Sequence, residues 1–243
     1  MLKSSTPGRL FENQAMQLNF KFYAILITLC LEIMMLNHAN AIELEDHPEL
    51  QPLVQFFTYE GIPQKAWPKF MYIGKNELPA QASFLLTGTL LTPQVAEYYQ
   101  RTPQIRSPIQ VDDQPTTHQY YRAVIMIVDN NKQRDHALQA DKLKESTLIE
   151  LGLITINFSA LPEVLIADVR HGQIPFGTLL LKHKIKAENS NKRYFKVTCE
   201  IPLIKYLECK QGETLYGRSN TLVREDNHAW IAHVVEILTG KTL

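Results

Sequence analysis

The chain has 243 residues, 45% of them hydrophobic, with 25 basic and 25 acidic side chains and a formal net charge of +0. That length holds one domain with a sizeable core. The balanced charge removes any bulk attraction to nucleic acid or an anionic membrane surface, and the composition is that of a folded domain, not a disordered chain.

The N-terminus reads as a secretory signal. Lys21 precedes an apolar run from Phe22 to Leu31, and Ala39-Asn40-Ala41 has the small-x-small pattern of a cleavage site. A start at Met16 would give that signal an ordinary length. The expectation is export to the periplasm or the medium, with cleavage after Ala41. Residues 42–243 then form a single domain with no remaining membrane anchor. An uncleaved anchor is the alternative use of the same run. No later stretch is apolar enough to span a bilayer. Cys30 leaves with the signal, while Cys199 and Cys209 remain. In an exported protein these two either close a short disulfide loop or stay as buried thiols.

Beyond a short acidic lead-in, Pro48–Phe57 places Leu50, Leu53, Val54 and Phe57 on one helical stripe. Gly61–Gln81, with Pro63, Pro68 and Pro79, reads as a loop packed by Trp67 and Tyr72. Thr92-Pro93 reads as the cap and first residue of a helix through Val95 and Tyr99. Ile105–Val111 is strand-like, and a polar connection follows from Asp112 to Thr117. Tyr120–Val128 is the clearest strand of all. Asp129–Asp135 turns the chain, a polar segment to Ser146 reads as an exposed extension, and Leu148–Phe158 returns as a strand. Leu161-Pro162 opens a helix that Gly172 ends. Pro175–Leu181 starts another element, Lys192–Ile201 is strand-like, and Leu203–Cys209 is ambiguous. The chain closes on a hairpin, Leu215–Val223 and Ala229–Leu238 about a polar turn at Glu225–His228. Strands without regular βαβ alternation predict an α+β fold with a mainly antiparallel sheet.

Two charges stand out against their surroundings. In the last strand Trp230, Ala232, Val234, Glu236 and Leu238 share one period-two face, and Ile231, His233, Val235 and Ile237 the other. Both faces are mostly apolar, so a carboxylate at Glu236 is expensive unless it is paired or does chemistry. Arg218 on the neighbouring strand is a ready structural partner. Arg122 shares its face with Val124, Met126 and Val128. It is either a strand-end arginine whose head group reaches water or a planar fork set to grip a carboxylate. The segments before Leu91 and Phe176 each lead into a helix start, where free N–H groups can hold an anion. Among eight histidines there is no H-x-H or H-E-x-x-H pattern, so no metal is expected. The chain also lacks a nucleophile elbow, a P-loop and a dinucleotide fingerprint.

Taken in order, these segments resemble the chorismate lyase family, and within it the chorismate pyruvate-lyase-like (4-hydroxybenzoate synthase) group. The resemblance rests on Arg122-x-Val124 in a strand, the Leu-Leu-Thr helix start at Leu90–Thr92, Pro175-Phe176-Gly177 opening a helix, Gly217-Arg218 before the terminal hairpin, and Glu236 near its end. It spans roughly residues 50–239. It implies a six-stranded antiparallel sheet with helices at its edges and an internal pocket. It also implies removal of pyruvate from chorismate to leave 4-hydroxybenzoate, without a cofactor. By position Arg122 then binds the ring carboxylate, helped by the backbone amides of Leu91 and Phe176, and Glu236 sits at the hydroxyl end as acid or base. Phe176 departs from the smaller aliphatic usual there. Chorismate is an intracellular metabolite, so an exported chain raises the alternative of a non-catalytic binding protein for a small aromatic carboxylate. A monomer is expected in either case.

Overall fold

The computed structural model describes residues 47–113 and 117–243. The signal segment, Cys30, the cleavage site after Ala41 and the centre of the Asp112–Thr117 connection lie outside the described residues. The chain makes seven strands among the described residues: β1 (Phe70–Ile73), β2 (Gln104–Asp113), β3 (Gln119–Asp129), β4 (Ser146–Asn157), β5 (Ala187–Thr198), β6 (Thr214–Arg224) and β7 (Trp230–Leu238). They form one sheet in the order β1-β5-β6-β7-β4-β3-β2, and every neighbouring pair is antiparallel. Two three-strand meanders, β2-β3-β4 and β5-β6-β7, meet along the β4–β7 seam.

The helices are α1 (Gln51–Tyr59), α2 (Ala80–Thr87), α3 (Leu91–Tyr99), α4 (Ala137–Lys142), α5 (Glu163–His171), α6 (Phe176–Lys182) and α7 (Leu203–Leu207). They cover both faces of the sheet and are not confined to its edges. Leu85, Leu91, Val95, Leu165 and Leu179 from α2, α3, α5 and α6 pack with Val124, Ile154 and Val234 on one face. Phe56 and Phe57 of α1, Ala137 of α4 and Leu203 of α7 pack with Ile125, Leu153 and Val235 on the other. Burial on both sides explains why β3 and β7 read as nearly continuous apolar runs.

The sheet has seven strands where the resemblance implied six, and the four-residue β1 lies in the stretch read as a loop. Packing accounts for it. Phe70 is buried between Phe57 and Phe195, with ring centroids at 6.2 and 5.4 Å. Burying one such ring contributes about 1.5–3 kcal/mol, more than the ~1 kcal/mol span of strand propensities. The polar segment after Asp135 is likewise not an extension: it holds α4, whose Ala137 and Ala140 are fully buried. The turn before it is built on Asp129, whose carboxylate accepts hydrogen bonds from Arg134 Nε at 2.6 Å and from the Asn131 and His136 amides at 2.8 and 2.9 Å. Helix α3 begins at Leu91, so Thr92-Pro93 falls within its first turn and does not form its cap. Gly172 ends α5 as expected, with φ +70° in the left-handed region.

The terminal hairpin forms as read, with one correction. A bulge between Leu222 and Val223 shifts the register, so Leu222 faces Ala232 while Val223 faces Trp230. The alternation slips there by one residue. Trp230 joins His233, stacked at 4.6 Å, and Ile231 turns to the Ala232, Val234 and Leu238 side.

Candidate functional site

The site is built on the α2/α3/α5/α6 face, where three cross-strand rows run over β6, β7, β4 and β3. The central row is Arg218, Glu236, Gly152 and Val124. On one side of it run Asn220, Val234, Ile154 and Arg122, and on the other Tyr216, Leu238, Glu150 and Met126. Five charged or amide side chains thus stand on a face that is otherwise apolar.

Glu236 and Arg218 lie directly opposite each other, and Arg218 Nε donates to Glu236 Oε2. The structural pairing foreseen for Glu236 is therefore present. Arg218 is fully buried and its remaining donors are engaged as well. Nη1 donates to the carbonyls of Leu86, at 2.7 Å, and of Gly88, and Nη2 reaches Thr89 O at 3.4 Å. Lys192 on β5 adds donors to Thr87 O at 3.0 Å and Gly88 O at 2.9 Å. Two cations thus satisfy the carbonyls at the C-terminal end of α2, where the helix dipole favours positive charge. Burial, and then Arg218, lower the Lys192 ammonium to about 8.

The sequence reading did not single out Glu150. Only 3% of it is exposed, and its Oε1 lies 2.7 Å from where a Cβ of Gly152 would stand. Gly152 is the cross-strand partner of Glu236, so its missing side chain lets the Glu150 carboxyl lean over the strand beside Glu236. Glu150 and Glu236 are diagonal neighbours across the β4–β7 pair, roughly 7–8 Å apart before their side chains lean together. Burial first, and the Glu236 charge second, push the Glu150 carboxyl well above the ordinary carboxylate range, opposed in part by Arg218. It keeps its proton where an exposed glutamate has lost it. Its Oε2 makes no hydrogen bond. The signal was available: Glu150 is a lone carboxyl in the apolar run Leu148–Phe158, as Glu236 is in β7.

Arg122 is 0% exposed, so it is not a strand-end arginine reaching water. None of its Nε, Nη1 and Nη2 atoms has a hydrogen-bond partner, and the neighbouring Tyr120 hydroxyl and Asn220 Oδ1 have none either. Burial pulls the Arg122 guanidinium down to about 10, with the Tyr120 charge opposing, which leaves it cationic at neutral pH.

A cavity lies between these strands and the starts of α3 and α6. Glu236, Glu150, Arg218, Asn220, Leu91 and Phe176 line it. Gly177 lets the two helix starts approach, since a Cβ there would stand 3.2 Å from Thr92 Oγ1. Three of the residues expected at a site, Glu236, Leu91 and Phe176, line the cavity. Arg122 does not line it, but Val124 beside it and Ile154 opposite it do. The volume is about 40 Å³, room for roughly two or three water molecules. The other two predicted residues, Cys199 and Cys209, lie away from the cavity and form a disulfide, with Cα atoms 6.2 Å apart. Among the described residues no group of His, Cys, Asp and Glu is arranged to hold a metal, and no helix is long and apolar enough to cross a membrane.

No protein-family model matches the chain, and no curated protein matches it either.

Proposed function

We propose that this chain is a chorismate pyruvate-lyase-like protein, eliminating pyruvate from chorismate to give 4-hydroxybenzoate, with Arg122 as carboxylate anchor and Glu236 as acid/base group. One observation carries the reading: a fully buried guanidinium with no partner, on the same sheet face as Glu236. Arg218 cannot serve as the anchor, because its donors are already taken by Glu236 and the α2 carbonyls. A charged group left unsatisfied in the interior calls for an anionic complement, and a carboxylate matches the guanidinium fork. Arg122 and Glu236 are separated by two interstrand steps and two residues along the strand, about 12 Å between backbones, a span suited to a small ring with polar groups at both ends. Elimination driven by aromatisation asks for positioning and proton transfer, which these groups supply. The test is incubation of the purified chain with chorismate, following 4-hydroxybenzoate and pyruvate. Turnover above the spontaneous rate is expected; none, from folded protein, ends the reading.

The ion pair between Glu236 and Arg218 favours a second reading, an exported protein that binds a small aromatic carboxylate without turnover. It predicts calorimetric binding of 4-hydroxybenzoate that Arg122→Ala weakens, and unchanged binding in that variant would refute the pocket. The Cys199–Cys209 disulfide supports export, since such bonds persist in oxidising compartments.

A further inference from the structure

Elimination from chorismate involves two proton positions. A base removes the ring hydrogen from the carbon that bears the hydroxyl. The C–O bond to the enolpyruvyl group then breaks, and the ring becomes aromatic. The departing oxygen carries the bond's electron pair and is a poor leaving group unless it is protonated. Glu236 accounts for the base and leaves the acid unassigned.

We propose that Glu150 is the proton donor of this site, its carboxyl lying beside Glu236 and delivering a proton to the oxygen of the departing enolpyruvyl group. The inference rests on the lyase reading above. Its geometric basis is the bare Cα of Gly152, over which the Glu150 carboxyl leans toward Glu236, and the cavity that both side chains line. Two cationic donors near it are committed. Arg218 is bound to Glu236 and to α2, and Lys192 to the carbonyls of Thr87 and Gly88. Tyr120 lies at the Arg122 end. Of the two carboxyls lining the cavity, Glu150 has a buried oxygen, Oε2, that makes no hydrogen bond.

The two carboxyls have different surroundings. Glu236 is paired with the guanidinium opposite, whereas Glu150 is desolvated beside the Glu236 charge, and both push its carboxyl up. The charged groups facing Glu150 are Glu236 from β7 and Arg218 from β6, with Lys192 from β5 behind Arg218. From β3 it meets Met126 and Val124, which do not titrate. The proton balance closes within the pair. Glu150 gives its proton to the leaving oxygen, forming enolpyruvate, which becomes pyruvate by tautomerisation. Glu236 then passes the ring proton to Glu150, restoring both groups.

The test is Glu150→Gln in the full chain, which keeps the size and a hydrogen-bond donor but has no transferable proton. With chorismate, kcat is expected to fall by about 10²–10⁴-fold, while calorimetric affinity for 4-hydroxybenzoate changes little. In the unaltered chain kcat should fall on the alkaline side, and Glu150→Asp should retain part of the activity. A parallel infrared spectrum at neutral pH should show the carbonyl stretch of an un-ionised carboxylic acid that Glu150→Gln removes. Wild-type kcat in Glu150→Gln, or no such band, overturns the donor while leaving the lyase reading intact. No turnover by the unaltered chain overturns that reading and the donor with it. Should Glu150→Gln not fold, the unaltered chain decides: an alkaline loss of kcat supports the donor and a flat profile overturns it.

Discussion

Arg122 is a residue the fold keeps at a cost. A buried polar group without a partner costs about 1–3 kcal/mol, and a charged one more. Arg122→Met fills similar volume with no charge to desolvate, so it is expected to raise the ligand-free unfolding free energy by about 1–3 kcal/mol, seen as a higher urea midpoint, while abolishing 4-hydroxybenzoate binding. A lower midpoint would mean that the guanidinium has a stabilising partner. Glu150 adds a pH dependence of definite sign. Its folded carboxyl holds a proton above pH ~4.3, where the unfolded chain has released it, so the unfolded state binds fewer protons there and stability declines as pH rises. Glu150→Gln should therefore gain on the unaltered chain as pH rises above about 4, measured as the difference in melting temperature at each pH. Arg122 and Glu236 were legible as lone charges in apolar period-two runs. Glu150 met the same criterion, but Gly152 interrupts the pattern around it, and only the folded strand shows which face the carboxyl takes. The placement of Trp230 was not legible at all. With both faces of β7 apolar, a one-residue slip leaves no mark on the sequence pattern.

At the scale of elements, Arg218 does more than pair with Glu236. By holding the carbonyls from Leu86 to Thr89 it fixes the turn between α2 and α3, and with it the position of Leu91 over the cavity. Arg218→Ala leaves Glu236 buried without its cation and uncaps α2, so a loss of about 3–5 kcal/mol is expected in chemical denaturation. A loss below ~1 kcal/mol, the scale of an exposed pair, would mean that water already reaches it. The long strands and the Gly172-terminated helix could be read because local pattern and tertiary burial agree. β1 and α4 could not. One has four residues with a single buried ring, the other six residues held by two alanines and the Asp129-built turn, so each depends on partners distant in the chain.

For the molecule as a whole, the antiparallel α+β architecture followed from the spacing of apolar runs, but the placement of helices on both faces needed the packing itself. The Cys199–Cys209 bond closes a loop of ten residues' separation beside α7. Replacing both cysteines by serine should lower stability by about 3 kcal/mol on the chain-entropy estimate, read as a lower denaturation midpoint. No change would mean that α7 holds the loop unaided. The sheet's exposed margins are guarded by the brevity of β1 and by Pro108 within the β2 bulge between Arg106 and Ile109, features that discourage strand addition. Finally, the cavity of about 40 Å³ sets a clock. A benzene-sized guest needs on the order of 150 Å³, so on the function proposed above a ring enters only by an opening of the cavity. The arrival rate of such a ligand then stops following its concentration and levels off at the rate of that opening, and the observed affinity is the intrinsic one scaled down by the fraction of molecules that are open.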